Sequence, residues 1–252
     1  MHLQIAERVL VNDALFEDQR RQLQECLSAF YLGNVAQDYQ TICNVPREET
    51  HFYRLPPGIN DRAYPDFLNS FPSLRDPRKL SFDHAVFIAA YCAHLLLDLQ
   101  WYHEVLVPYF VSPETWDDNH QRFVVHNTLL TYLDKEAVAS LPDTAAETLA
   151  SANPNDWLPF ATDEELAQWR DILVEQLQPG ASLRTIDIYA RRLFLTPEEF
   201  AANLEKPEWM ETYLFKRVPI EAVKELLASS VSSSVQIINQ YLGEGKVPDV
   251  SE

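Results

Sequence analysis

The sequence predicts an all-α fold, and three observations carry that expectation. Apolar residues recur at helical spacing through most of the chain, and strand-like alternation is almost absent. Residues 80–110 form one long apolar stretch with neither Gly nor Pro before Pro108. Ser81 and Asp83 are residue types that open helices, so this stretch reads as a helix. It is hydrophobic nearly all round, which places it at the centre of a domain rather than on its surface.

The other elements follow in order. Leu3, Ile5, Ala6, Val9 and Leu10 define a first helix over residues 3–12, with His2 at its entrance. A second helix is predicted over residues 16–32, ended by Gly33 as the residue just past the helix. Asn34-Val35-Ala36-Gln37-Asp38 then makes a turn. Pro56, Pro57, Pro65, Pro72 and Pro77 make residues 54–79 read as an irregular loop, and a loop that long inside a domain points to an entrance. Beyond the central helix, further helices are expected over residues 120–134, 163–177, 183–195, 197–204 and 220–242. Thr196 would cap the fourth of these, with Glu198 and Glu199 in its first turn. The organisation is therefore a helical core over residues 1–139, a connection over 140–162, C-terminal helices packed on the core over 163–245, and a frayed tail over 246–252.

Composition bounds the function. With 252 residues and 46% hydrophobic content the chain can build a substantial core. Five Gly and no phosphate-loop motif argue against a nucleotide fold. A net charge of −18 disfavours a nucleic acid duplex and anionic membrane surfaces as partners. Cys26, Cys43 and Cys92 are an odd, widely spaced set and read as reduced thiols. With no leader pattern and no charge-free apolar run of about 18 residues, the expected location is the cytoplasm and no transmembrane segment is expected.

Chemistry concentrates in the first half. His94 and Asp98, four apart on the central helix, project together. A carboxylate in so apolar a helix is costly to bury unless a cation or proton neutralises it, and an imidazole one turn away is the usual companion when the cation is a metal. A plain His–Asp hydrogen bond would also satisfy the pair. All seven histidines fall in the first half, an arrangement that random placement gives about once in a hundred. His2, His51, His94 and His126, with Asp38 and Asp98, are of the ligand types that zinc accepts. His84 and His120 read as structural.

Leu32-Gly33-Asn34-Val35-Ala36-Gln37-Asp38, Thr50-His51-Phe52, and Tyr91-Cys92-Ala93-His94-Leu95-Leu96-Leu97-Asp98, with His2 before Ile5-Ala6-Glu7, resemble the zinc-dependent phospholipase C family of bacteria, over roughly residues 1–134. The S1/P1-type nucleases are related to it. The resemblance implies an all-helical fold, a zinc cluster and hydrolysis of phosphoric diesters by a zinc-activated water attacking phosphorus. It implies that His51, His94 and Asp98 hold one zinc, with Asp98 able to bridge to a second. His2 would ligate the neighbouring ion, helped in the family by the terminal amine. Asp38 would lie against the attacking water as ligand or general base. His103 stands one residue early for the next family ligand. His126 has Leu130 where the family has a glutamate, with Asp134 a substitute two turns along, so two ions are expected and a third lacks its ligands. The expected substrate is a small-molecule or lipid-headgroup phosphoester. The other reading is a non-catalytic helical protein that keeps a degenerate cluster for stability and binds a protein partner. A His/Asp phosphohydrolase would need adjacent His-Asp, which is absent.

Overall fold

The computed structural model describes residues 1–58, 60–112, 116, 118–178, 181 and 184–244, and every described regular element is a helix. The first is α1 (His2–Leu10), whose Leu3, Ile5, Ala6, Val9 and Leu10 are buried. The next stretch is not one helix but two, α2 (Glu17–Glu25) and α3 (Leu27–Gly33), broken at Cys26 with φ −113° and ψ 36°. Gly33 is the last residue of α3 rather than the residue beyond it. Its role is close approach: a Cβ there would lie 2.4 Å from the carbonyl oxygen of Phe87 and 2.7 Å from the Cβ of Ala90. No side chain fits at this crossing.

A 3₁₀ turn over Ala36–Tyr39 carries Asp38 and leads into α4 (Gln40–Cys43), then α5 (Arg47–His51). The proline-rich segment 54–79 contains more order than the proline count suggests. It holds α6 (Tyr64–Ser70), with Pro65 in its first turn, and 3₁₀ turns at Pro72–Leu74 and Pro77–Lys79. Proline has no N–H to lose at a helix start, so these residues open helices instead of breaking them.

The central helix α7 (Phe82–Trp101) begins where the sequence indicates, with the Ser81 hydroxyl accepting from the His84 amide. From Tyr102 to Val111 the winding widens to π, with Pro108 inside it. Residues 82–111 are long and apolar enough to cross a membrane by length and composition, but 67% of the most apolar window is buried within the protein. The helices α3 and α14 pack most extensively on α7, so it is the core of the molecule.

The remaining helices are α8 (Asn119–Ala139), α9 (Ala145–Ala150), α10 (Asp163–Gln176), α11 (Arg184–Arg192), α12 (Pro197–Glu205), α13 (Pro207–Trp209) and α14 (Ile220–Ile238). Asp118 caps α8, and Thr162 and Thr196 form capping boxes with Glu165 and Glu199. Short π segments follow α13 and α14. Within 140–162, α9 packs on α3 and α10, and Trp157 lies against Phe87. One continuous core runs from Leu3 to Tyr241, and a satellite of Val124, Ala190, Leu193 and Phe200 joins α8, α11 and α12. The predicted start of a helix at Leu183 and the tail beyond 245 lie outside the described residues.

Candidate metal centre

Three backbone crossings bring the candidate side chains together. The turn bearing Asp38 is held to the core by Gln37, whose buried amide donates to the carbonyls of Gly33 and Tyr91. The indole of Trp169 on α10 donates to the Val35 carbonyl at 2.6 Å. The short helix α5 ends at His51 because Phe52 takes a left-handed φ of 60°. Tyr91 of α7 donates its hydroxyl to the Thr50 carbonyl at 2.7 Å, fixing His51 beside α7. His2, the first residue of α1, stacks on His94 with ring centroids 3.8 Å apart.

The protonation of the two buried imidazoles follows from their partners. His94 Nδ1 lies 2.8 Å from the Asn34 carbonyl, which can only accept, so Nδ1 carries the proton. His51 Nδ1 lies 2.8 Å from the Thr50 hydroxyl, which spends its own proton on the Arg47 carbonyl and so accepts from His51. Both Nε2 atoms are then bare lone pairs. Both are buried and neither has a hydrogen-bond partner. Burial, with His2 beside it, holds the His94 imidazole well below its usual pKa, so a second proton is not the remedy.

These lone pairs face carboxylates. His51 Nε2 is 3.2 Å from Asp98 Oδ2 and 3.8 Å from Asp38 Oδ1. His94 Nε2 is 3.8 Å from Asp98 Oδ2, and His2 Nε2 is 3.5 Å from Asp98 Oδ1. Ligands about 2.0–2.1 Å from a tetrahedral zinc lie about 3.3 Å from each other, so these are the separations of a coordination sphere. Among the described residues, two groups of three have donor atoms all within 4.8 Å of one another: His2, His94 and Asp98, and Asp38, His51 and His94. The residues therefore fit a divalent cation. Burial alone would raise the Asp98 carboxyl, but the charged and hydrogen-bonding groups around it, the Arg47 guanidinium among them, hold it well below the usual carboxylate range.

His103 and His126 do not join the group. His103 lies five residues past Asp98, off the i, i+4 stripe, and is exposed against Tyr102. His126 accepts at Nε2 from the Trp101 indole at 3.2 Å and packs against Phe110. Asp134 meets the amino group of Met1 at 2.6 Å. His84 and His120 bond to the carbonyls of Trp157 and Leu193.

Two features of the centre escape a reading of the sequence. Arg47, four residues before His51 on α5, places Nη2 2.6 Å from Asp98 Oδ2 and 3.0 Å from the Tyr53 hydroxyl. Its spacing to His51 was the available signal. The other is Tyr189 of α11. Its phenol is pushed up by burial and then by the charge of carboxylates, Asp134 first and Asp38 and Asp98 after it. Beside it Arg192 borders a groove of about 560 Å³ lined by Gln40, Thr41, Asn44 and Pro46. The groove includes none of the clustered ligands; its lining residues 40–46 lie between Asp38 and Arg47 in the chain.

An all-helical protein with a buried His/Asp centre on crossing helices is the class that fold and site define. The family model described as zinc dependent phospholipase C matches residues 1–174, and the chain belongs to that family. No curated protein and no solved structure matches it. The match ends near the close of α10, so α11 to α14 lie beyond it, including the helix that carries Tyr189 and Arg192.

Proposed function

We propose that the protein is a zinc-dependent phosphodiesterase acting on a lipid-headgroup or small-molecule phosphoester. The single observation that carries this reading is the pair of buried, bare Nε2 atoms of His51 and His94 facing two carboxylates at ligand spacing. One imidazole lone pair serves one ion, so the two groups that share His94 cannot both use it. Were two ions held, Asp98 is the residue that could serve both, with Oδ1 3.5 Å from His2 Nε2 and Oδ2 3.2 Å from His51 Nε2 and 3.8 Å from His94 Nε2.

A bound divalent cation would supply Lewis acidity, lowering the pKa of a water from about 15.7 toward 7 and offsetting charge on phosphoryl oxygens. The protein supplies the rest. Thr50 and the Asn34 carbonyl fix the tautomers of His51 and His94, the outer support that metal-binding imidazoles need. Asp38, with 39% of its side chain exposed, stands on the open side of the centre and can take the proton of an attacking water. That open side favours an enzyme over a closed structural site.

Metal analysis of the purified protein, followed by a panel of phosphodiesters and phosphomonoesters with and without chelator, tests the reading. Stoichiometric zinc and chelator-sensitive diester hydrolysis are expected. Asp38→Asn should retain zinc and lose at least about a hundredfold in kcat/KM, the lower range for a general base. Zinc-free protein that cannot be loaded would overturn the reading.

A further inference from the structure

We propose that Arg47 is the phosphoryl-binding cation of this centre, fastened through Nη2 to Asp98 and presenting Nη1 to a non-bridging oxygen of the phosphoester. The inference rests on the hydrolase reading for its substrate class but on separate atoms. Nη1 of Arg47 is buried and has no hydrogen-bond partner. A buried cationic N–H without an acceptor is a costly thing to keep, and an anion arriving at the site removes the cost.

The guanidinium is already held in place. Nη2 bonds Asp98 Oδ2 and the Tyr53 hydroxyl, and the guanidinium carbon sits 4.9 Å over the Tyr53 ring. Such a fork loses little freedom when it takes a further acceptor, and its planar donors match phosphoryl oxygens. Its position is also right. His51 and His94 are sealed from solvent, whereas Asp38, Asp98 and Arg47 have 39%, 22% and 28% of their side chains exposed. A ligand entering from solvent thus meets the two carboxylates together with the Arg47 guanidinium. The carboxylates repel an anion, and the Arg47 guanidinium offsets them. In hydrolysis, water adds to phosphorus, the bond from phosphorus to the leaving oxygen breaks, and the alcohol departs with a proton. Arg47 Nη1 remains on an oxygen that keeps its charge throughout.

The test uses the full chain as wild type, Arg47→Gln and Arg47→Lys, with inorganic phosphate as the probe. Phosphate affinity is measured by titration calorimetry on zinc-loaded and on chelator-treated protein, alongside zinc content and kcat/KM for a diester. Arg47→Gln should keep its zinc and weaken phosphate about tenfold or more, the lower range for a charge-assisted hydrogen bond. Arg47→Lys should recover part of that affinity. Unchanged phosphate affinity in Arg47→Gln overturns the proposal. So does loss of zinc in Arg47→Gln with normal phosphate binding by whatever remains loaded, since Arg47 would then only position Asp98. Should the wild type refuse zinc yet bind phosphate through Arg47, the hydrolase reading falls and this assignment stands.

Discussion

His51, His94 and His126 are all shielded imidazoles, and they differ in what Nε2 meets. In His126 it accepts a hydrogen bond from the Trp101 indole, which fixes that ring as neutral. Burial pushes its pKa down to about 4. Because the folded form resists a proton that the unfolded chain takes up near 6.5, stability is intact above that value and falls as pH drops toward 4. The full effect is about 3 kcal/mol, from roughly 1.4 kcal/mol for each pH unit. Denaturant midpoints of the chelated protein between pH 7 and pH 4 should show this decline, and His126→Gln should flatten it. An acid limb of equal slope in the variant would contradict the assignment. His94 and Asp98 were readable in the sequence, because a helix puts residues four apart on one face. Arg47 was not, because its partner lies 51 residues away and only the crossing of α5 over α7 makes the pair.

Helix identities were legible where propensity and caps agree, as at Ser81, Thr162 and Thr196. They were obscured where tertiary packing decides. Gly33 looks like an ordinary helix stop, yet its function is to let α3 lie against α7, and α3 carries the Asn34 carbonyl that orients His94. Gly33→Ala would collide with the Phe87 carbonyl and with the Ala90 side chain. It should cost about 1–3 kcal/mol, as overpacking does. A thermal melt unchanged by this substitution would refute the close approach, and the same variant should bind zinc more weakly by misplacing His94. The segment 54–79 misled for the opposite reason. Three of its five prolines, Pro65, Pro72 and Pro77, sit in first turns of α6 and the 3₁₀ helices, and Phe67 from α6 packs against Phe52 and Tyr91.

At the scale of the molecule, a cation bound by donors from α1, the Asp38 turn, α5 and α7 ties together segments as far apart as residues 2 and 98. Binding to the folded state alone at a hundred times Kd adds about 2.7 kcal/mol. For a chain of this size that corresponds to a rise in Tm of roughly 5–10 °C on adding zinc, reversed by chelator. A melting curve indifferent to zinc would show that the donors do not share an ion. The sequence by itself determined the all-α class, the central buried helix, and the His/Asp ligand types and their order, since these depend on composition and on spacing within single elements. The family match bears out the resemblance read from those residues. Only the tertiary structure decided that Asp38 and His51 reach the His94–Asp98 pair, that His103 and His126 do not, and that Arg47 stands beside it. Those are contacts between segments distant in the chain, and helical spacing specifies which face a residue occupies but not what that face will meet.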